Sequence, residues 1–250
     1  MNSFYHTLSD IYDEIFPLNP SLTSFINSFF QDSNSPIEVL DVGCATGLIP
    51  SALAEKNPLF RITAIEPDEK MIERAFRRNS ISPNPIKLIK ASMQDVNELF
   101  PDNFFNGIIC MGNTLVHLQN MEEIYQFIGT VYRKLVPGGL FFIQIVNYTR
   151  IRVQNITHLP AIETQNVIFN RQYEYFQNGK TPQIRFLSHL KFKSNSDPVT
   201  EEVFLFPIEY NDLMSIYSDI GFKSVISCGS YAREPFSSDN PALITVVTRE

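Results

Sequence analysis

The stretch VLDVGCATG, residues 39–47, decides the fold of this chain. It begins as an apolar run typical of a buried strand and ends in a turn of small residues that opens a helix. Gly43 and Gly47 permit backbone angles and close approaches that larger residues do not, and Ala45 is nearly as small. The first N–H groups of the following helix are free to bind a ligand. Alone, this stretch indicates a nucleotide site at the end of a strand.

A carboxylate follows at the end of the next apolar run. Residues 61–66 read RITAIE, so that Glu66 comes directly after a predicted strand. Because the carboxyl ends of parallel strands meet at one edge of a sheet, we expect Glu66 to lie beside the glycine turn. A carboxylate there can accept hydrogen bonds from both hydroxyls of an adenosine ribose.

The surrounding sequence alternates β-branched runs with longer amphipathic runs, which predicts parallel strands joined by helices. The predicted strands are 37–42, 61–66, 86–91, 106–111 and 139–146. The predicted helices are 48–55, 68–78 and 121–135.

Both flanks of this core differ from it in pattern. Tyr5, Leu8, Ile11, Tyr12 and Ile15 fall on one helical face, which predicts a helical lead-in, with a second short helix at 22–30. Apolar residues then alternate with a period of two between about 165 and 205, around an Asn-Gly pair at 178–179 that is typical of a hairpin turn, and a third strand is expected at 202–206. A helix at 211–220 precedes two strands, 223–229 and 243–248, whose short connection predicts an antiparallel pair.

The predicted fold class is α/β: a Rossmann-like, doubly wound and mostly parallel seven-stranded sheet with its last strand antiparallel, plus a small antiparallel insertion acting as a lid. The expected divisions are a helical lead-in or cap at 1–36 and a cofactor-binding core at 37–150. The lid occupies 151–207, and residues 208–250 complete the core sheet with a helix and a strand pair.

Composition narrows the possible partners and location. Lys and Arg total 20 against 27 Asp and Glu, a formal charge of −7, which disfavours nucleic acid as a partner. Three separated cysteines, without a Cys/His cluster, predict neither disulfides nor a metal site and favour the cytoplasm. No apolar run is long enough to predict a membrane span, and the oligomeric state is not predicted.

Several motifs together resemble the class I S-adenosylmethionine-dependent methyltransferases. The small residues fall at Gly43, Ala45 and Gly47 after Asp41, and residues 135–139 read LVPGG, which is similar to the turn before the fifth strand of many such enzymes. The stretch CMGNTLVHL at 110–118 and the pair Asn-Tyr at 147–148 resemble the glycine N-methyltransferase subgroup, which acts on small molecules. The resemblance implies S-adenosyl-L-methionine as cofactor and a seven-stranded sheet with its last strand reversed.

The resemblance also implies roles for individual residues. The methionine end of the cofactor is implied to contact Asp41, Gly43, Cys44 and Ala45, and its ribose is implied to contact Glu66. Ser92 and Met93 are implied to flank the adenine, with Pro67 and Met71 as apolar cover for the ring. Met111 and Asn113 are implied to close the pocket from the fourth strand.

Residues for the chemical step and for the methyl acceptor are fewer. His117, after the fourth strand and so near the transferred methyl group, is the first candidate for a base and is equally compatible with a structural role. Tyr12 is a candidate to close the pocket or to face the sulfonium with its ring, although its apolar neighbours favour ordinary packing. Asn147 is a candidate acceptor contact, with Arg171 and Arg185 as options for binding a carboxylate. Because the subgroup's Asn-Tyr-Asp is Asn-Tyr-Thr here, glycine itself is disfavoured as the acceptor.

The sequence therefore predicts methyl transfer to a nitrogen, or less readily an oxygen, of a small molecule by in-line displacement. Two alternatives remain open. A nicotinamide-dependent oxidoreductase would share the strand, turn and acidic residue, although the spacing of the small residues disfavours it. A non-catalytic S-adenosylmethionine-binding module would keep the same turn and Glu66 without turnover.

Overall fold

A seven-stranded sheet with helices on both faces forms the centre of the computed structural model, which describes residues 8–179, 181–194 and 197–250. Its strands are β1 (Ile37–Val42), β2 (Phe60–Ile65), β3 (Lys87–Ile89), β4 (Phe105–Cys110), β5 (Leu135–Val146), β10 (Phe222–Cys228) and β11 (Ala242–Arg249), in the spatial order β10-β11-β5-β4-β1-β2-β3. The last strand, β11, runs antiparallel to both β5 and β10, whereas β1 to β5 pair in parallel. The predicted fold class and its reversed last strand are confirmed.

Eight helices surround this sheet in the described part of the chain: α1 (Tyr12–Ile15), α2 (Pro20–Asn27), α3 (Leu48–Lys56), α4 (Glu69–Ser80), α5 (Val96–Leu99), α6 (Met121–Lys134), α7 (Tyr148–Val153) and α8 (Tyr210–Ile220). One apolar cluster packs α2, α3 and α4 against the sheet, and another packs α5, α6 and α8 against its other face. The core therefore has three layers, and the carboxyl ends of β1, β2 and β4 share one edge. None of the helices in these described ranges has the length and apolar character needed to span a bilayer.

A second, antiparallel sheet covers that edge. It contains β6 (His158–Glu163), β7 (Val167–Asn178), β8 (Thr181–Phe192) and β9 (Val199–Leu205). The predicted hairpin is confirmed, since β7 and β8 pair from Val167 opposite Phe192 to Asn178 opposite Thr181, although Lys180 lies outside the described residues. A cluster of Leu8, Ile15, Met71, Phe169 and Leu190 joins this sheet to α1 and α4.

Several predicted boundaries were wrong. Strand β6 was not expected, and β5 begins at Leu135 because the LVPGG segment pairs with β4 through an irregular register, Phe105 opposite Leu135 and Gly107 opposite Leu140. A side chain at Gly139 would come within 3.1 Å of the Phe105 carbonyl oxygen, so this close pairing requires glycine. The lead-in forms a single helical turn in its described part, α1, and Tyr5 lies outside the described residues.

Phe142 on β5 links the sheet to the segment before β1. Its ring is fully buried and lies 6.4, 5.3 and 6.0 Å, between centroids, from Phe25, Phe29 and Phe30. This ring therefore packs α2 and the residues that follow it against the sheet.

Replacing that ring should destabilise the protein strongly. Phe142→Ala is expected to lower the free energy of unfolding by about 3–5 kcal/mol, because it leaves a cavity under three other rings. Phe76→Ala, on α4, removes a ring that is 48% exposed and should change the free energy of unfolding much less. Urea denaturation of both variants measures the difference, and equal losses would contradict this view of the core.

Candidate active site

The loop after β1 has the unusual backbone that its sequence predicts. Gly43, Ala45 and Gly47 have positive φ angles of 78°, 49° and 76°. The N–H groups of Gly43 and Cys44 donate to the Ile65 carbonyl oxygen at 2.9 and 3.0 Å, which ties the loop to the end of β2. A side chain at Gly43 would collide with the side chain of Thr114, from the loop after β4. Three loops thus converge at this point of the edge.

Glu66 joins two of these loops through its carboxylate. The Ala45 N–H donates to Oε2 at 2.9 Å and the Asp68 N–H donates to Oε1 at 3.0 Å. The residue is buried, and burial raises the pKa of its carboxyl to about 7 against the opposing effect of these two hydrogen bonds. Each oxygen keeps a lone pair for a further donor.

Asp41 is a second buried carboxylate close to Glu66. Its Oδ2 has no hydrogen-bond partner among the described residues. Burial, and then the charge of Glu66, raise its pKa to about 8. Asp41 lies behind the glycine loop and lines neither of the two cavities described next.

The first cavity, which we call the Glu66 cavity, has a volume of about 280 Å³. It contains seven of the residues for which the resemblance implies a cofactor contact, together with eight for which it implies none. The lining residues are Tyr12, Val42, Gly43, Ala45, Glu66, Pro67, Asp68, Met71, Ser92, Met93, Gln94, Gly112, Thr114, His117 and Leu118. Ser92 Oγ donates to Asp95 Oδ2 at 2.6 Å, so its oxygen remains available as an acceptor.

A second cavity of about 370 Å³, which we call the Arg171 cavity, lies between the same loops and the antiparallel sheet. It includes the predicted residues Cys44, Met111, Asn113 and Arg171, and it shares Tyr12, Gly43, Ala45, Gly112, Thr114 and His117 with the Glu66 cavity. The two cavities therefore meet at these six shared residues, which we call the common wall.

His117 and Tyr12 lie in that common wall. Burial lowers the pKa of the His117 imidazole to about 4, so this side chain is neutral at pH 7. Burial, followed by the nearby Glu66 carboxylate, raises the pKa of the Tyr12 hydroxyl well above its usual value, so it stays protonated. Tyr12 is held in place because the adjacent Asp13 accepts from Thr46 Oγ1 and pairs with Arg78.

Three predicted contacts have other partners in the structure. Asn113, in a left-handed conformation with φ of 72°, donates to Tyr148 Oη at 2.9 Å and accepts from the Val146 N–H at 3.0 Å. Asn147 lines neither cavity: its Nδ2 donates to the Ser238 and Asn240 carbonyl oxygens at 3.0 and 2.9 Å, and its Oδ1 caps α7.

Arg185 also lines neither cavity. It is exposed on β8 and pairs with Glu174 at 3.2 Å and Glu202 at 2.7 Å. The side chains of Asn147 and Arg185 are thus used in internal contacts away from both cavities, and an acceptor contact by either residue stays a prediction.

Sequence reasoning missed residues whose role depends on how loops meet. Asp68 was noted only as the start of a helix, and Thr114 only as part of a resembling stretch. Gln144, near the carboxyl end of β5, also lines the Arg171 cavity. The small size of Gly43 was the one available signal that another loop approaches at Thr114.

Comparisons with known proteins agree with this geometry. Residues 39–139 match a protein family described as "Methyltransferase domain". This match covers less than half of the chain, and it supports a similarity to the class I S-adenosylmethionine-dependent methyltransferases. It is 26% identical over 200 residues to a glycine/sarcosine N-methyltransferase of Parasynechococcus marenigrum, covering 78% of this chain and 66% of that protein.

Two further similarities extend the comparison. A ubiquinone biosynthesis O-methyltransferase of Rickettsia felis is 30% identical over 128 residues, covering 50% of this chain and 47% of that protein. The chain thus spans between about half and two thirds of the length of these two relatives. The fold is similar to that of an S-adenosylmethionine-dependent methyltransferase from Clostridium acetobutylicum, with a TM-score of 0.76, 17% identity and 98% of each chain covered.

The cofactor of the family, S-adenosylmethionine, fits the residues present. The Glu66 oxygens can each accept one more hydrogen bond, which suits the two ribose hydroxyls. The carboxyl of Asp41 lies behind the loop and, with a pKa of about 8, is mostly protonated at pH 7, so it adds little charge beside the ligand. A side chain at Gly112 would meet no atom within 4 Å, so this glycine leaves open space beside the common wall.

Protons held by the two buried carboxyls predict a pH dependence of stability. Glu66 and Asp41 have folded pKa values of about 7 and 8, above their ordinary values of 4.5 and 3.8. The stabilisation of the folded state by these bound protons is fully present below the ordinary pKa values, and it is lost as the pH rises through about 7 to 8. For Glu66 alone, this shift corresponds to a loss of about 3 kcal/mol.

Urea denaturation at several pH values measures this loss. Glu66→Gln cannot bind the proton, so its free energy of unfolding should fall less steeply than that of the wild type between about pH 5 and 8. The lowered pKa of His117 makes the free energy of unfolding rise with pH below about pH 6.5, which is the opposite direction, but this effect is the same in both proteins. Identical pH slopes would contradict the burial argument.

Proposed function

We propose that the protein transfers a methyl group from S-adenosylmethionine to a nitrogen, or less readily an oxygen, of a small molecule. The observation that supports this most directly is the Glu66 carboxylate, held by two backbone N–H groups in a cavity that shares a wall with a second cavity. One cavity suits the cofactor and the other suits an acceptor. Methyl transfer requires these two ligands to lie side by side.

The Glu66 cavity is proposed to hold the cofactor. Glu66 accepts the ribose hydroxyls, and Ser92 and Met93 flank the adenine. Pro67 and Met71 cover the ring with apolar surface. Toward the common wall, the cofactor is contacted by the glycine loop and by the loop after β4; the proposed residues are Gly43, Cys44, Ala45, Met111 and Asn113. Asp41 lies behind the loop, lines neither cavity and is mostly protonated at pH 7.

When bound, S-adenosylmethionine supplies a methyl group on a sulfonium sulfur, which a nucleophile displaces in line. The chain's own contribution is to align the two ligands and exclude water, effects that can supply roughly 7–11 kcal/mol. Tyr12 closes the common wall with an aromatic ring, and neutral His117 adds no positive charge beside a sulfonium.

Nitrogen is favoured as the methylated atom because the wall offers no strong base. With a pKa of about 4, His117 takes a proton from a hydroxyl only weakly at pH 7. A neutral amine attacks through its lone pair and can lose its proton afterwards. The two relatives named above are an N- and an O-methyltransferase, so similarity does not choose between these atoms.

We propose roles in this function for the predicted domain divisions. Residues 37–150 are proposed as the cofactor-binding core, residues 1–36 as a cap and residues 151–207 as a lid over the acceptor. The lid sheet contributes Leu159, Arg171, Tyr173, Phe186 and Leu205 to the Arg171 cavity. The buried, unpaired thiols of the three cysteines agree with a cytoplasmic location.

Calorimetric titration tests the cofactor assignment. The protein should bind S-adenosylmethionine and S-adenosylhomocysteine but not NADH, and Glu66→Ala should weaken binding by about tenfold or more, because it removes two charge-assisted hydrogen bonds. Glu69→Ala, which removes an exposed carboxylate from the first turn of α4, is the matched control.

Binding of NADH but of neither sulfur compound would support a nicotinamide-dependent oxidoreductase instead. Binding without methyl transfer to any member of a panel of small amines would support a non-catalytic module. Loss of binding in Glu69→Ala as well as Glu66→Ala would contradict the specific role of Glu66.

The pH profile of methyl transfer tests the role of His117. Because its pKa is about 4, kcat/KM of the wild type should show no ionisation of this group between about pH 5.5 and 8. Mass spectrometry of the methylated amine gives the rate for the wild type and for His117→Gln. A step near pH 6.5 that disappears in His117→Gln would contradict this interpretation.

A further inference from the structure

The Arg171 cavity extends across the carboxyl edge of the central sheet. Its lid residues, among them Tyr173 and Leu205, belong to the apolar cluster on the face of the sheet that packs against α5, α6 and α8. Leu22, Ile49 and Tyr231 line the same cavity but pack with the cluster on the opposite face, which includes α2, α3 and α4. The cavity therefore reaches from the lid to the other face of the sheet and is long enough to include the common wall.

The part of this cavity away from the lid, which we call the outer end, is apolar. It is lined by residues 16–19, Leu22, Leu48, Ile49 and Tyr231. None of these residues is charged, and none lines the Glu66 cavity. The side chain of Asn19 accepts from the Ser21 N–H at 3.0 Å, where it caps α2. Such walls favour an uncharged, apolar part of a ligand.

Tyr231 reaches the outer end from a distant part of the sequence. It belongs to the loop between β10 and β11, and within the described ranges it is the one residue of that loop that lines the cavity. Its ring lies 5.8 Å, between centroids, from Phe25 on α2. Burial raises the pKa of its hydroxyl above the ordinary value, so the side chain is uncharged at pH 7.

The backbone around Tyr231 forms a closed turn. The Gly229 N–H donates to the Glu234 carbonyl oxygen at 2.9 Å, and the Arg233 N–H donates to the Ser230 carbonyl oxygen at 3.1 Å. Tyr231 lies between these two pairs. Its position is therefore set by the turn rather than by an extended loop.

Arg233 attaches this turn to α2 and the residues after it. Its guanidinium lies 4.5 Å from the centre of the Phe29 ring and 5.7 Å from that of Phe25. Its Nη2 donates to Ser28 Oγ at 2.7 Å. Because Phe25 also contacts Tyr231, Arg233 holds the turn on the surface that Tyr231 packs against.

We propose that the methyl acceptor carries an apolar tail that lies in the outer end, and that Tyr231 limits the length of this tail. Arg233 is a positioning residue that holds Tyr231 there. The inference rests on the proposed function, because it takes the Arg171 cavity as the acceptor site. A volume of about 370 Å³ lies within the range of about 300–1,000 Å³ that is typical of small-molecule sites, which leaves room for a tail beside the reacting group.

Selectivity for tail length tests the role of Tyr231. Mass spectrometry gives kcat/KM for a series of primary amines whose unbranched alkyl tail lengthens by one methylene at a time. Tyr231→Ala removes the ring at the outer end, so the ratio of kcat/KM for long-tailed over short-tailed amines should rise by about tenfold or more. Tyr231→Phe keeps the ring and should keep the wild-type ratio. A merely structural role would lower kcat/KM for all tails alike, and an unchanged ratio in Tyr231→Ala would overturn the inference.

Two further sets of variants assign the effect. Tyr125→Ala makes the same substitution on α6, at a tyrosine that is 40% exposed and lines neither cavity, and it should keep the wild-type ratio. Arg233→Gln should raise the ratio in the same direction as Tyr231→Ala, and Arg233→Lys, which keeps a cation near Phe29, should raise it less. An equal rise in Tyr125→Ala would overturn the inference, and an unchanged ratio in Arg233→Gln would overturn the positioning role.

Fluorescence measures occupancy of the outer end without turnover. The chain has no tryptophan, so Tyr231→Trp introduces a single indole there. With S-adenosylhomocysteine bound, long-tailed amines should change its emission more than short-tailed amines do, and Tyr125→Trp should not respond. This measurement decides the matter even if the wild type methylates no amine of the series.

Binding of S-adenosylhomocysteine separates the possible failures. No response of Tyr231→Trp to long-tailed amines, with S-adenosylhomocysteine bound, would overturn this inference alone. Failure of the wild type to bind S-adenosylhomocysteine would instead remove the proposed function on which the inference rests.

Discussion

The Glu66 carboxylate accepts N–H groups from two loops at once, and the geometry of the site depends on this arrangement. Ala45 donates from the loop after β1, and Asp68 donates from the loop that starts α4. A buried carboxylate is costly unless it is hydrogen-bonded, so these contacts fix both loops relative to β2. The glycine turn is in turn held against Thr114 from the loop after β4. The Glu66 side chain thus connects the loops that follow β1 and β2 at the carboxyl edge of the sheet.

The two adjoining cavities at this edge have walls of opposite charge. The acidic side, with Glu66 and Asp68, suits a ligand that carries a sulfonium, whereas Arg171 is placed on the lid side. The wall between them contains Tyr12 and His117, both uncharged at pH 7. Low polarity at this wall strengthens the electrostatic effect of both sides.

Local sequence pattern predicted the central sheet well, because buried strands and glycine turns leave strong signals. Strand β1 was predicted with its observed limits, and most residues implied to contact the cofactor line a cavity at its end. Strand β6 left no such signal, since none of its residues is buried. The contacts of Asn147 could not be predicted because its partners lie about 90 residues away, and Arg171 and Arg185 were indistinguishable until strand pairing determined their surroundings.

Proton release on ligand binding tests the central claim about Glu66 most directly. Calorimetry of S-adenosylhomocysteine binding near pH 7, in two buffers with different ionisation enthalpies, counts the protons exchanged. Because the pKa of Glu66 is about 7 and two hydroxyls favour its ionised form, the wild type should release a fraction of a proton that Glu66→Gln does not release. Equal proton exchange by the two proteins would contradict the account.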